Sequence, residues 1–399
     1  MLIEDPELRA RARTTIAEIA AALAARETKD TDELADHAVV RAYLAADDTL
    51  PDPDDVGSDA LRAAIAGLPG LQRSALYGGV ARVGWTIAHL VDESAADLAC
   101  ASLDEALRQV VGVLPHYDLI GGLVGIGVYA LERGAAGRPL AVAVLDELER
   151  RARPFGAGIG WHTAPELLPD FQRARAPDGY WNLGVAHGIP GAIALLARFA
   201  AADIEPARCR TLLDGAVALL LGSAPAGATP RFAGWLPDAG GTTPRVAWCY
   251  GDLGIAAVLL GLPDEARRAD GLALARACAA RTGAPGLNDA SVCHGTAGAA
   301  HLFHRMALAT GDTTLAAAAR TLIERTLAER RPDPIAGFPF WLAAEGEQRF
   351  HADASLLQGA AGVALVLHAA ISDVEPSWDR LLLVDLPVTA QLRASATAV

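Results

Sequence analysis

The sequence predicts an all-α protein folded as a closed α/α toroid, a double-layer barrel of six to seven inner helices ringed by outer helices. Three observations carry that reading. β-Branched alternation is nowhere sustained, so no large sheet is expected. Amphipathic stretches near 97–113, 138–153, 205–221, 264–282 and 313–330 carry charges on one side and Leu, Val and Ala on the other. Between them lie segments apolar nearly all round. Such helices belong inside, shielded by an outer layer.

The elements follow in order. Asp5-Pro6 opens the first helix with a capping carboxylate and a proline at the first helical position. Leu8, Ile16, Ile19 and Leu23 then share a face. Residues 28–70 are less regular and read as a small extension or an additional hairpin. The inner helices begin with repeated glycines: Tyr77-Gly-Gly-Val-Ala-Arg82, Gly121-Gly-Leu-Val-Gly125, Gly188-Ile-Pro-Gly191, Gly251-Asp-Leu-Gly254, Gly295-Thr-Ala-Gly298 and Gly359-Ala-Ala-Gly362. Counting from Gly79, Gly122, Gly188, Gly251, Gly295 and Gly359, the intervals are 43, 66, 63, 44 and 64 residues. The short interval fits one helical hairpin; the long one adds a loop of about 20 residues, and the recurrence marks a repeat architecture. Three insertions, 154–183, 222–245 and 331–354, are rich in breakers, and loops of this kind on a rigid ring carry binding function. No composition shift marks a second domain, so 1–399 reads as one toroid.

Composition narrows the partners and the setting. The chain has 399 residues, 52% hydrophobic and 21% charged, enough apolar surface for a large core. Its 34 Lys and Arg against 48 Asp and Glu give a net charge of −14, which repels phosphate backbones and argues against nucleic acid. Five cysteines, an odd and sparse number, argue against a disulfide scaffold and for a reducing cytoplasmic setting. Glu4, Asp5 and Glu7 precede any apolar run, which is wrong for a secretory signal. The longest uncharged stretch, Ala354 to Ser372, contains Ser355, Gln358 and His368 and reads as a buried helix, with no transmembrane segment expected.

Three inner-helix starts carry residues suited to chemistry. Cys249, Cys293 and His294 lie at equivalent starts and form a candidate metal set. Two thiolates and an imidazole suit Zn²⁺, and three protein ligands are the number that leaves a fourth position open. Cys100, Cys209 and Cys278 lack the glycine context and read as packed cysteines. His301 and His304 follow on the helix of His294, as alternative ligands or, more in keeping with an inner helix, as packed residues. His187 holds the matching position on a third helix and reads as a general acid or base, or as a structural histidine. Asp118 opens another inner helix, where a carboxylate is also an ordinary N-terminal charge. Arg245, four residues before Cys249, could pair with it or with Asp118. Tyr250 could donate through its hydroxyl or pack.

Gly184-Val-Ala-His-Gly-Ile-Pro-Gly191, Trp248-Cys-Tyr-Gly-Asp-Leu-Gly254 and Cys293-His-Gly-Thr-Ala-Gly298 resemble the three signature motifs of the lanthionine synthetase C-like (LanC) family. Tyr77-Gly-Gly, Asp118-Leu-Ile-Gly-Gly-Leu and Trp378-Asp-Arg-Leu-Leu-Leu383 are similar to other stretches of it, so the likeness runs from about residue 70 to about 385. The resemblance implies an α/α toroid around one Zn²⁺ and a stand-alone lanthipeptide cyclase. Its substrate would be a dehydrated precursor peptide with leader, in which a Cys thiol adds to dehydroalanine or dehydrobutyrine to form a thioether. A separate dehydratase and an export transporter are the implied partners, in a cytoplasmic or membrane-associated biosynthetic complex. By motif position, Cys249, Cys293 and His294 correspond to zinc ligands, His187 and Asp118 to residues required for activity, and Arg245 and Tyr250 to supporting positions. Arg82 departs from the pattern where a second glycine is expected, and Leu253 stands where many members have proline. The main competing reading is a LanC-like zinc protein that binds peptide or thiol without cyclising it. A toroidal prenyltransferase or glycosidase fits less well, because aromatics are only 5% and no opposed carboxylate pair has a motif of its own.

Overall fold

The computed structural model describes residues 1–224, 228, 230–237, 245–283, 286–332, 335–344 and 347–386. Parts of two expected insertions, 225–227, 229 and 238–244 in one and 333–334 and 345–346 in the other, lie outside the described residues. Helix α1 (Pro6–Ala24) is followed by the hairpins α2 (Thr31–Ala45) with α3 (Val56–Gly67), α4 (Val80–Leu90) with α5 (Glu93–Val110), and α6 (Leu123–Glu132) with α7 (Arg138–Arg151). After the short α8 (Asp170–Arg173) come α9 (Ile189–Ala201) with α10 (Pro206–Gly222), α11 (Asp252–Leu260) with α12 (Glu265–Ala279), α13 (Thr296–Thr310) with α14 (Thr313–Ala328), and α15 (Ala360–Ile371).

Sorting by polarity makes two layers. All residues of α11 and α15 are buried, whereas α12 buries only Gly271, Leu274, Ala275 and Cys278. Each fully buried Leu or Val side chain contributes about 1.5–3 kcal/mol, so an inner helix gains more from burial than its own propensity supplies. The inner helices α2, α4, α6, α9, α11, α13 and α15 touch in that order, and α15 touches α2, which closes the ring. α1 packs outside α15, so the first helix completes the last hairpin, and Leu2 N and Ile3 N donate to Ala370 O. Residues 28–70 contain α2 and α3, and α2 is an inner helix without a glycine start; Asp30 caps it by accepting from Asp32 N and Glu33 N.

A belt of backbone hydrogen bonds joins the inner-helix starts. Tyr77 N donates to Ile120 O (3.1 Å), Leu119 N to Ala186 O (3.1 Å), Ala186 N to Cys249 O (3.5 Å), Cys249 N to Cys293 O (3.2 Å) and Cys293 N to Leu357 O (2.8 Å). Asp36 of α2 closes the remaining gap. Its carboxylate accepts from Leu356 N and pairs with the buried Arg82 of α4. Arg82, which departs from the glycine pattern, thus ties α4 to α2 instead of packing against a crossing backbone. At the corresponding position of the last repeat, a Cβ on Gly362 would stand 1.9 Å from Leu356 O.

Short antiparallel pairs decorate the insertions: β1 (Arg153–Phe155) with β2 (Gly158–Gly160) and β5 (Phe340–Ala344) with β6 (Glu347–His351) lie each within one insertion, while β3 (Trp181–Asn182) pairs with β4 (Trp235–Leu236) across two of them. The segment 377–384 fills the centre of the ring. Trp378, Asp379, Leu381 and Leu382 are fully buried, and Tyr77 Oη and Trp248 Nε1 donate to Leu381 O and Leu382 O. Among the described residues no helix is long and apolar enough to cross a membrane.

Candidate metal centre and catalytic pair

The repeat sorts the site residues by their distance from the glycine that caps each inner helix. Two residues before it stand Tyr77, Ile120, Ala186, Cys249, Cys293 and Leu357, the positions the backbone belt links. Immediately before it stand His187, Tyr250 and His294. Neighbouring repeats therefore project these side chains toward one region. Gly251 has φ +102, and a Cβ there would stand 2.0 Å from Arg245 O, so the turn that delivers Cys249 requires glycine.

Ligand atoms of Cys249, Cys293 and His294 all lie within 4.8 Å of one another. The Cys293 thiol donates to Cys249 sulfur. That bond, with the hydrogen bond and charge of His294 and the charge of Arg245, holds the Cys249 thiol well below its ordinary value against the cost of burial. The same bond, with burial and the Cys249 charge, pushes Cys293 well above its own. Burial opposes the charged form of His294, but Cys249 and Asp289 outweigh it and raise its pKa. Asp289 Oδ2 lies 3.7 Å from His294 Nε2 and accepts from Trp341 N of β5 at 2.7 Å, while its Oδ1 accepts from Ser291 N. A zinc ion at ordinary bond lengths separates its donors by about 3.5–4 Å. The donor set, its spacing and a carboxylate behind the imidazole fit that ion.

His187 Nδ1 lies 2.6 Å from Asp118 Oδ2, and Asp118 Oδ1 accepts from Gly121 N at 2.9 Å. Of the two partners considered for Asp118, the structure gives it His187, while the Arg245 charge acts on Cys249, Cys293 and His294. Burial opposes the imidazolium, yet the hydrogen bond and charge of Asp118, followed by the charge of Cys249, raise the His187 pKa. Tyr250 stacks at 6.4 Å between ring centroids. Burial raises its pKa far above the ordinary phenol value, so it stays neutral. Its hydroxyl accepts from Asn182 Nδ2 at 2.8 Å, which leaves its own proton to donate. A cavity of about 260 Å³ opens beside the pair, lined among others by Asp118, His187, Tyr250, His116, Gln172 and Arg73.

Sequence reasoning missed Asn182 and Asp289. Both stand six residues before their cap glycine, a place held in the other repeats by Arg73, His116, Arg245 and Asp353. Six polar residues at one repeat position in an apolar protein were the available signal. His301, one of the alternative ligands, lies deeper on α13, where its Nε2 meets Asp379 Oδ2 at 2.9 Å, and the metal set excludes it.

The model for the family described as lanthionine synthetase C-like protein matches residues 37–383. No curated protein matches the chain. A solved structure titled "Nisin cyclase" superposes with a TM-score of 0.76 over 95% of this chain and 98% of that one, at 17% identity. At that identity the likeness speaks for a shared fold.

Proposed function

Since this chain belongs to the lanthionine synthetase C-like family, we propose that it is a zinc-dependent lanthipeptide cyclase that closes thioether rings in a dehydrated precursor peptide. The observation that carries the reading is the set of two thiols and an imidazole one repeat away from a histidine–carboxylate pair. Cys249, Cys293 and His294 would hold Zn²⁺, which when bound supplies a site that takes a peptide thiol as its thiolate.

The remaining work falls to the chain. The cysteine sulfur forms a bond to the β-carbon of dehydroalanine or dehydrobutyrine, and the alkene π pair moves toward the α-carbon and the neighbouring carbonyl oxygen. His187, charged by virtue of Asp118, delivers a proton to the α-carbon, directly or through water. The proton lost by the thiol balances the one delivered. Asp118 holds the imidazole through Nδ1, which leaves Nε2 as the acid. Neutral Tyr250, braced by Asn182, orients the bound residue, and Arg245 favours the thiolate form of Cys249. A separate dehydratase would prepare the substrate, and an export transporter would remove the product, in a cytoplasmic or membrane-associated complex.

The test is incubation with a dehydrated precursor, followed by thiol alkylation and mass spectrometry. Ring closure removes one alkylatable thiol per ring and depends on metal. An unchanged thiol count would leave a peptide-binding zinc protein without the chemistry.

A further inference from the structure

Resting on the cyclase reading, we propose that Arg73 contacts the substrate: its guanidinium takes the carbonyl oxygen of the dehydrated residue and stabilises the negative charge that grows there as sulfur adds.

Four observations converge on Arg73. It lines the cavity that Asp118, His187 and Tyr250 also line, and that cavity is small enough for one bound residue to reach more than one wall. It occupies the repeat position of Arg245, Asn182 and Asp289, six residues before the cap glycine. In their repeats those residues act on Cys249, Tyr250 and His294. The Arg73 guanidinium lies over two glycines at the inner-helix starts. A Cβ on Gly78 would stand 3.7 Å from its Nη1, and one on Gly121 would stand 3.7 Å from its Nη2 and 4.0 Å from Asp118 Oδ1. Finally, its side chain has no hydrogen-bond or ion-pair partner among the described residues, in a chain with 48 acidic groups. Buried arginines elsewhere in the ring are committed: Arg82 to Asp36, and Arg133 to Asp97 and Asp104.

The chemistry needs a cation there. When the S–C bond forms, the alkene electron pair is shared between the α-carbon and the carbonyl oxygen until His187 delivers its proton. A donor aimed at that oxygen lowers the barrier more than it tightens substrate binding, because the charge exists only on the way to product. The planar guanidinium offers several N–H groups to one oxygen and stays charged throughout. Removing a well-enclosed donor of this kind costs roughly 100- to 1,000-fold in turnover. Arg73 is exposed to solvent, which screens its charge, so a loss of about 10-fold or more is expected.

Arg73→Gln and Arg73→Lys are compared with the unaltered full-length protein, zinc-loaded, on one dehydrated precursor. The readouts are single-turnover ring closure, peptide affinity by fluorescence anisotropy, zinc content and thermal midpoint. The expected result is a single-turnover rate lowered at least about 10-fold in Arg73→Gln, partial recovery in Arg73→Lys, and unchanged zinc and midpoint. Unaltered turnover overturns the proposal. So does a loss of affinity with turnover intact, since Arg73 would then only attract an acidic stretch of peptide. If the unaltered protein closes no rings, the cyclase reading itself fails, and that outcome is distinct from the other two.

Discussion

Asp118→Asn separates two things the carboxylate does for His187, orienting the ring and keeping it charged. The asparagine oxygen still accepts from Nδ1, so orientation survives while the negative charge is lost. The separation is 2.6 Å, and 45% of the His187 side chain is exposed. A hydrogen bond to a charged partner is worth about 1.5–3 kcal/mol when enclosed, and exposure of one side screens it to about 1 kcal/mol. That energy is the share of the preference of His187 for its charged form that the substitution removes, and ~1 kcal/mol is about 5-fold in an equilibrium constant. The sign follows from its role as acid. Turnover is full while His187 is protonated and falls as pH rises through its pKa, which Asp118 holds above the ordinary imidazole value. The substitution therefore moves the alkaline fall to lower pH, and where His187 is already mostly neutral the protonated fraction drops about 5-fold. The assay is the alkylation time course from about pH 6 to about pH 9, with zinc content measured on the same samples. His187→Ala should retain zinc and lose ring closure over the whole range. An alkaline limb left in place by Asp118→Asn would refute the coupling of this carboxylate to the proton donor.

Other consequences are open to measurement. Arg82→Ala strands the buried Asp36 carboxylate at the closure between α2 and α4 and should cost about 3–5 kcal/mol in urea unfolding; the double change Arg82→Met with Asp36→Leu should recover much of it, and equal losses in both would speak against the ion pair. Gly251→Ala forces a side chain into φ +102 against Arg245 O and should cost roughly 1–3 kcal/mol while lowering zinc affinity, because Cys249 is two residues away. In metal-free protein near pH 8, maleimide should modify the Cys249–Cys293 pair before Cys209 and Cys278, whose thiols burial pushes up to about 11 and about 12. Peptide mapping that finds Cys209 or Cys278 modified first would contradict the assigned thiolate.

The amino-acid sequence was sufficient for the repeat and for much of the candidate site. Glycine leaves a visible mark wherever a backbone crosses the first turn of an inner helix, so six of the seven inner helices among the described residues were legible. Cys249, Cys293, His294 and His187 were legible too, because each stands beside a marked glycine. The seventh inner helix, α2, was not. It starts from an aspartate cap and buries Asp36, His37 and Arg41, which blurs the apolar pattern that exposes the others. Only the closed ring decided that α1 covers α15, that Arg82 serves α2, and that Asp118 faces His187. These are pairings between residues from 46 to more than 300 positions apart, such as Arg82 with Asp36 and Leu356 with Asp36. Local pattern encodes which face of a helix is buried; it does not encode which distant polar group will satisfy a buried charge. That choice is made when the ring closes and each buried donor or acceptor must find a partner within reach.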